Sequence, residues 1–220
     1  MGSTAQWAYE LVDLMVASLE RPAFVRRLLR LFQEHTLASM RCACEAGVEI
    51  IFTAFYFASM SAGWSPSLYE EFFLPLIREQ VDVVHSHGRL YWYFDDGKCA
   101  VYLPWLKECG VDMVETLPPP PVGDVVLRQA KELVGDRLCL CGGIDSVNIL
   151  SRGTPEQVRE AVRQAILDAA AGGGFILGSS DGIRDTPLEN LNAYFQAARD
   201  FGDYRHLGCV VPGSHTASQG

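Results

Sequence analysis

Two hydrophobic periods alternate along the chain. From Pro22 to Ala46 apolar residues recur every three or four positions and the run stops at Gly47, which predicts a helix closed by a C-terminal glycine. VEIIFTAF (48–55) is a continuous apolar run and predicts a buried strand. Ser65-Pro66 opens a helix running to about His85, with Gly88 marking its end. Four more pairs follow: RLYWYF (89–94) before a helix near 98–109, DMVE (112–115) before the loop PPPPVGD and a helix from about Asp124, RLCLCGG (137–143) before a helix at 155–171, and GFILGSS (174–180) before a helix at 187–200. Thr154-Pro155-Glu156-Gln157 and Thr186-Pro187-Leu188-Glu189 each place threonine at the cap, proline in the first turn and Gln or Glu at the third position.

Strands regularly separated by helices imply a parallel sheet with right-handed crossovers. A doubly wound open sheet and a closed eight-stranded barrel both satisfy that pattern. Five strand–helix units, where a closed barrel needs eight and about 250 residues, favour the open sheet on counting alone. No tandem repeat appears, and residues 203–220 read as a polar tail.

The 220 residues are 49% hydrophobic and 20% charged, enough for one domain with a sizeable core. The formal net charge of -9 leaves no electrostatic footprint for nucleic acid or an anionic membrane. The first residues lack the basic region of a secretory signal, and no apolar run reaches the roughly 18 residues of a membrane span. These features predict a cytoplasmic location. The 7 cysteines fit reduced core residues; a zinc–thiolate site is the alternative. Cys139 and Cys141 share one strand face and cannot readily bridge each other.

In either architecture functional groups belong on loops at the carboxyl ends of the strands. That rule selects Ser59, Met60 and Ser61, then Asp95, Asp96 and Gly97, then Glu115, then Gly142, Gly143 and Asp145, and finally Ser179, Ser180, Asp181 and Arg184. Each has a plain alternative: Asp95 and Asp96 as a turn or cap, Asp145 as a helix cap, Asp181-Gly182 as a turn. Carboxylates concentrated on one rim suit cationic or N–H-rich groups, hard metal ions or acid–base work. His85-Ser86-His87 lies at the opposite end of the sheet; i and i+2 side chains diverge by about 200° on a helix, so helix-end capping is the better reading. Tyr91 to Phe94 reads as a strand buried on both faces. Dinucleotide, P-loop, nucleophile-elbow and H-E-x-x-H motifs are absent from the sequence.

Seven segments in order over residues 10–202 carry a family resemblance. They are Ser65 to Pro75 (SPSLYEEFFLP), Asp96-Gly97-Lys98, Cys109-Gly110-Val111-Asp112, Gly142-Gly143-Ile144-Asp145, Gly153 to Val158 (GTPEQV), Gly172 to Leu177 and Thr186 to Asn190 (TPLEN). The chain resembles the uroporphyrinogen decarboxylase superfamily, which also holds corrinoid-dependent methyltransferases acting on zinc-bound thiols. The resemblance implies an α/β fold, a (β/α)8 TIM barrel of which residues 1–202 supply about the last five strand–helix units. It implies a fragment or a shortened gene product that lacks the aspartate and arginines with which decarboxylases hold substrate. It matches Ser59 to a substrate-contacting serine. It places Phe94, Asp96 and Asp181 on the methyltransferases' three zinc-ligand positions, so the usual thiol–zinc site is altered.

The expected catalytic residues are Asp96, Asp181 and Glu115, and the expected substrate-binding residues are Ser59, Asp95, Gly97, Gly143, Asp145, Ser180 and Arg184. The PPPPVGD loop is expected to shape the pocket wall. The leading expectation is a cofactor-free decarboxylase acting on a tetrapyrrole or another carboxylated substrate. The alternatives are a corrinoid-dependent methyltransferase or demethylase with a divalent metal at Asp96 and Asp181, or an inactive barrel fragment. The expected partners are a small-molecule substrate and a second copy in a homodimer, with a corrinoid protein under the methyl-transfer alternative.

Overall fold

The computed structural model describes residues 9–55 and 58–206. Two helices lead in, α1 (Leu11–Glu20) and α2 (Pro22–Glu45). Five strand–helix units follow: β1 (Ile50–Ala54) with α3 (Pro66–Phe72) and α4 (Leu74–Ser86), β2 (Leu90–Phe94) with α5 (Leu103–Cys109), β3 (Met113–Thr116) with α6 (Leu127–Val134), β4 (Cys139–Ile144) with α7 (Pro155–Ala169), and β5 (Phe175–Ser179) with α8 (Leu188–Phe201).

The strands pair in parallel in the order β1-β2-β3-β4-β5. A doubly wound sheet reverses its order at a switch point and carries helices on both faces. Here the order never reverses and the helices cover one face. Tyr91, Tyr93, Val114 and Leu140 point into that helix layer and are fully buried. On the other face Phe52 is 52%, Leu90 45% and Ile176 43% exposed. This is a segment of a (β/α) barrel seen from the inside, and the open sheet favoured by counting is corrected by topology. Tyr91-Trp92-Tyr93-Phe94 is corrected with it. Its alternate residues divide, the tyrosines into the helix layer and Trp92 and Phe94 onto the half-open inner face, where Phe52 contacts both rings.

Local chemistry explains where the elements differ from expectation. The single helix predicted over 66–85 is two, because Pro75 sits in the first turn of α4; it has no N–H to donate and its ring would clash with the carbonyl four residues back. Thr154 forms the full capping box with Gln157. Thr186 does not cap α8; Pro187 occupies that position, and the Thr186 hydroxyl is buried without a partner. Asp124 does not open α6 either. Its Oδ1 accepts from the backbone N–H groups of Cys99 (2.9 Å) and Ala100 (3.0 Å), tying the loop after β3 to the loop after β2.

His85 and His87 take separate partners at the end of α4, Asp112 (2.8 Å) and the Val83 carbonyl (2.9 Å). Residues 204–206 of the expected tail form a turn whose Tyr204 hydroxyl donates to the Phe175 carbonyl; residues 207–220, with Cys209, lie outside the described residues. The other six cysteines are free thiols. Among the described residues no helix is long and apolar enough to cross a membrane.

Candidate active site at the strand ends

Strand register carries the site. Phe94, Glu115, Cys141 and Ile176 are matched across β2, β3, β4 and β5. Glu115 therefore projects from the last turn of the inner face, and Asp96, two residues past Phe94, lies above it. Asp96 is pushed up to about 6, first by burial and then by the negative charges of Asp181 and Glu115. Carboxylates from the end of β3 and from the loop after β5 thus act on the one that follows β2. The Asp96 Oδ1 is buried and accepts no hydrogen bond. Burial also raises Glu115, opposed by the Trp92 indole N–H, which acts on it from outside hydrogen-bond geometry. The Cys141 thiol is pushed up to about 12 by burial and then by Glu115, so it stays protonated. Trp92 was read only as part of a buried strand and not as a site residue; period-two alternation from Phe94 is the signal that puts it on the inner face beneath the rim.

The loop positions are rigidly set. Gly97 has φ 77°, and a Cβ there would lie 2.0 Å from the Ser61 Oγ, which accepts from the Lys98 N–H at 2.7 Å. Only glycine lets these two loops approach so closely. Asp181 is exposed, and its Oδ1 accepts from the Gly182 N–H at 2.6 Å, the turn expected of that pair.

The remaining expected site residues do not join this group. Asp95 turns away from the inner face into the helix layer and is completely buried, so the expectation that it contacts substrate is corrected. Ser59 is buried and caps the turn Met60–Ala62 through the Ala62 N–H. The Ser180 Oγ accepts from the Ser146 N–H and joins the β4 and β5 loops. Arg184 is exposed, with its carbonyl accepting from the Ser151 hydroxyl.

Asp145 caps a π-helical turn, Ser146–Ser151; its oxygens accept from the Val147 and Asn148 backbones and the Asn148 side chain at 2.7–2.8 Å. With its oxygens so occupied, it serves the cap. Gly143 and Asp145 face a different feature, a cleft of about 390 Å³ between Pro119–Pro121, α6 and α7. None of Asp96, Glu115 or Asp181 lines it. The proline loop shapes this outer cleft.

A profile described as "Uroporphyrinogen decarboxylase (URO-D)" matches residues 4–201. The chain belongs to the uroporphyrinogen decarboxylase family. Within it, the chain is 31% identical over 157 residues to a methylated-thiol–coenzyme M methyltransferase of Methanosarcina mazei, covering 70% of this chain and 38% of that protein. It is 27% identical over 188 residues to a uroporphyrinogen decarboxylase of Coxiella burnetii, covering 83% and 49%. The chain thus spans half or less of the length of these relatives. A solved structure described as a methyltransferase from Methanosarcina mazei superposes with a TM-score of 0.75 at 21% identity, over 91% of this chain and 56% of that one, and shows the shared barrel fold.

The zinc–thiolate site that the resemblance implies for the methyltransferases does not fit the residues present. The resemblance matches Phe94, Asp96 and Asp181 to its ligand positions, and a phenyl ring offers zinc no ligand. Among the described residues no three His, Cys, Asp or Glu side chains come together as a metal-binding group.

Proposed function

We propose that this chain carries the proton-transfer side of a uroporphyrinogen decarboxylase-type site, with Asp96 as the acid–base group. The observation behind this reading is the buried, unpartnered Asp96 Oδ1, on a carboxyl whose pKa is pushed up to about 6 by burial, Asp181 and Glu115. A carboxyl near 6 holds and gives up a proton close to neutrality, the condition under which general acid–base catalysis is most effective. Its free oxygen accepts an N–H or delivers a proton to a ring carbon. In decarboxylation one proton enters the ring and the electron-rich ring becomes an electron sink. The bond from the exocyclic carbon to the carboxylate then breaks, releasing carbon dioxide and leaving its electron pair in the protonated ring; a proton adds at the exocyclic carbon, and the ring gives back the proton it first took up, so one proton is consumed overall. Glu115 and Asp181 supply negative charge that steadies the cationic ring while it exists.

The test is the pH–rate profile with uroporphyrinogen as substrate. Turnover by the parent falls as the pH rises through about 6 if Asp96 is the proton donor, and Asp96→Asn loses on the order of 10²-fold or more with that limb abolished. An Asp96→Asn variant with unchanged turnover would end this reading.

The 31% identity to the methylated-thiol–coenzyme M methyltransferase favours a second reading, methyl transfer to a thiol. It requires coenzyme M-dependent demethylation of methylcobalamin by this chain, with Asp96→Asn inactive in that assay.

A further inference from the structure

We infer that Asp95 is a positioning residue, a buried carboxylate that aims Asp96 and Glu115 by drawing donors from three neighbouring elements onto one point. Its Oδ1 accepts from the Asp96 backbone N–H at 2.7 Å. Its Oδ2 accepts from the hydroxyls of Tyr93 (2.9 Å) and Tyr102 (2.6 Å). The Tyr69 and Tyr93 hydroxyls are 2.6 Å apart. Tyr93 has a single hydroxyl proton and gives it to Asp95, so Tyr69 is the donor in that second bond. The chain of donors therefore runs one way, from Tyr69 on α3 through Tyr93 on β2 to Asp95, and Tyr102 joins from the turn before α5.

The backbone completes the grip. The Asp95 N–H donates to the Glu115 carbonyl at 2.9 Å, and the Thr116 hydroxyl donates to the Asp95 carbonyl at 2.9 Å. One residue thus sets the end of β2, which carries Asp96, against the end of β3, which carries Glu115. The rings are rigid as well: Tyr69 stacks on Tyr102 with centroids 5.1 Å apart and planes 9° apart, and Tyr93 meets Tyr102 edge-on at 6.1 Å. The two tyrosine hydroxyls and the backbone N–H that meet the Asp95 carboxylate are all donors, and an ionised carboxylate, which only accepts, satisfies all three. Asp95 has no exposed surface, so it acts on a ligand only through its neighbours.

The activity arm of the test rests on Asp96 being the acid–base group; the exchange arm does not. Amide hydrogen exchange is followed residue by residue in the ¹⁵N-labelled 220-residue chain. Losing the acceptor in Asp95→Ala is expected to speed exchange at the Asp96 amide by about tenfold, with the ladder amides of Tyr93 and Val114 held within about threefold. Asp95→Asn keeps an oxygen for that amide and is expected to stay within about threefold of the parent. If Asp95→Ala does not fold, Tyr102→Phe, which removes one donor and no acceptor, is expected to speed the Asp96 amide by about threefold, again with the ladder amides at their parent rates. With uroporphyrinogen as substrate, Asp95→Ala is expected to lower kcat by about tenfold or more with KM within about threefold.

An Asp96 amide that exchanges at the parent rate in Asp95→Ala, or in Tyr102→Phe if that is the variant that folds, overturns the inference. So does acceleration shared equally by the β2 and β3 ladders, which is loss of stability and not of positioning. If Asp96→Asn keeps full turnover while the exchange pattern holds, the proposed chemistry falls and the positioning stands.

Discussion

Asp95 and Asp96 are adjacent in sequence and sit in opposite environments. Asp95 lies in the helix layer with two tyrosine hydroxyls and a backbone N–H on its oxygens; Asp96 lies at the inner rim with one oxygen buried and unpartnered and two other carboxylates acting on it. Burial raises both carboxyls, to about 7 and about 6. The cause of the similar numbers differs. For Asp95, desolvation outweighs three donated hydrogen bonds. For Asp96, desolvation is reinforced by like charge. A buried carboxylate with all its donors is scaffold, and a half-buried one with an idle oxygen is available for chemistry.

The same division runs through the whole sheet, and the largest stability effect should expose it. Phe73, 1% exposed, packs in the helix layer against Trp64 and Tyr69. Phe73→Ala should cost about 3–5 kcal/mol in urea unfolding. Phe52→Ala, on the open inner face, should cost only about 1 kcal/mol, the value of its ring contacts. Equal losses would mean that the inner face is covered in solution.

The pH dependence is the next largest effect. An unfolded aspartate titrates near 3.9, so the folded Asp95, raised to about 7, binds a proton more tightly than the unfolded chain. Its contribution is full below about pH 4 and is lost as the pH rises through about 7. Unfolding curves of the parent and Asp95→Asn should therefore converge or cross on going from pH 4.5 to 7.5, the parent losing the more stability. A parent that gains stability on Asp95→Asn over that interval contradicts the raised carboxyl. The smallest effect belongs to the cap: Asp145→Ala should cost about 1 kcal/mol and leave turnover unchanged, because Asp145 belongs to the π-helical turn.

Much of the fold was legible. Five strands and most helices follow from the switch between apolar runs and three-to-four spacing, and Thr154 to Gln157 form the expected capping box. Where reading failed, one local signal outweighed another. Pro75 broke a helix that periodicity ran through, and Thr186 copied a capping pattern whose place Pro187 took. Of the expected site residues, Asp96 feels the charges of Glu115 and Asp181, whereas Ser59, Ser180 and Asp145 became caps and loop ties. Small polar residues after a strand serve either role with the same local sequence. The three-dimensional neighbour decides which.

By itself the sequence determined the alternation of strand and helix, the acidic character of the loops after the strands, and the family, because these are written in spacing and residue type within short stretches. The family resemblance already implied the barrel's strand order, which the structure bears out; tertiary structure alone decided that Asp95 turns into the helix layer while Asp96 stays at the rim. Those outcomes depend on donors supplied by Tyr69, Tyr93 and Tyr102 and on charges supplied by Glu115 and Asp181. Hydrogen bonds and Coulomb interactions act across space, and no local pattern encodes which distant residues will arrive.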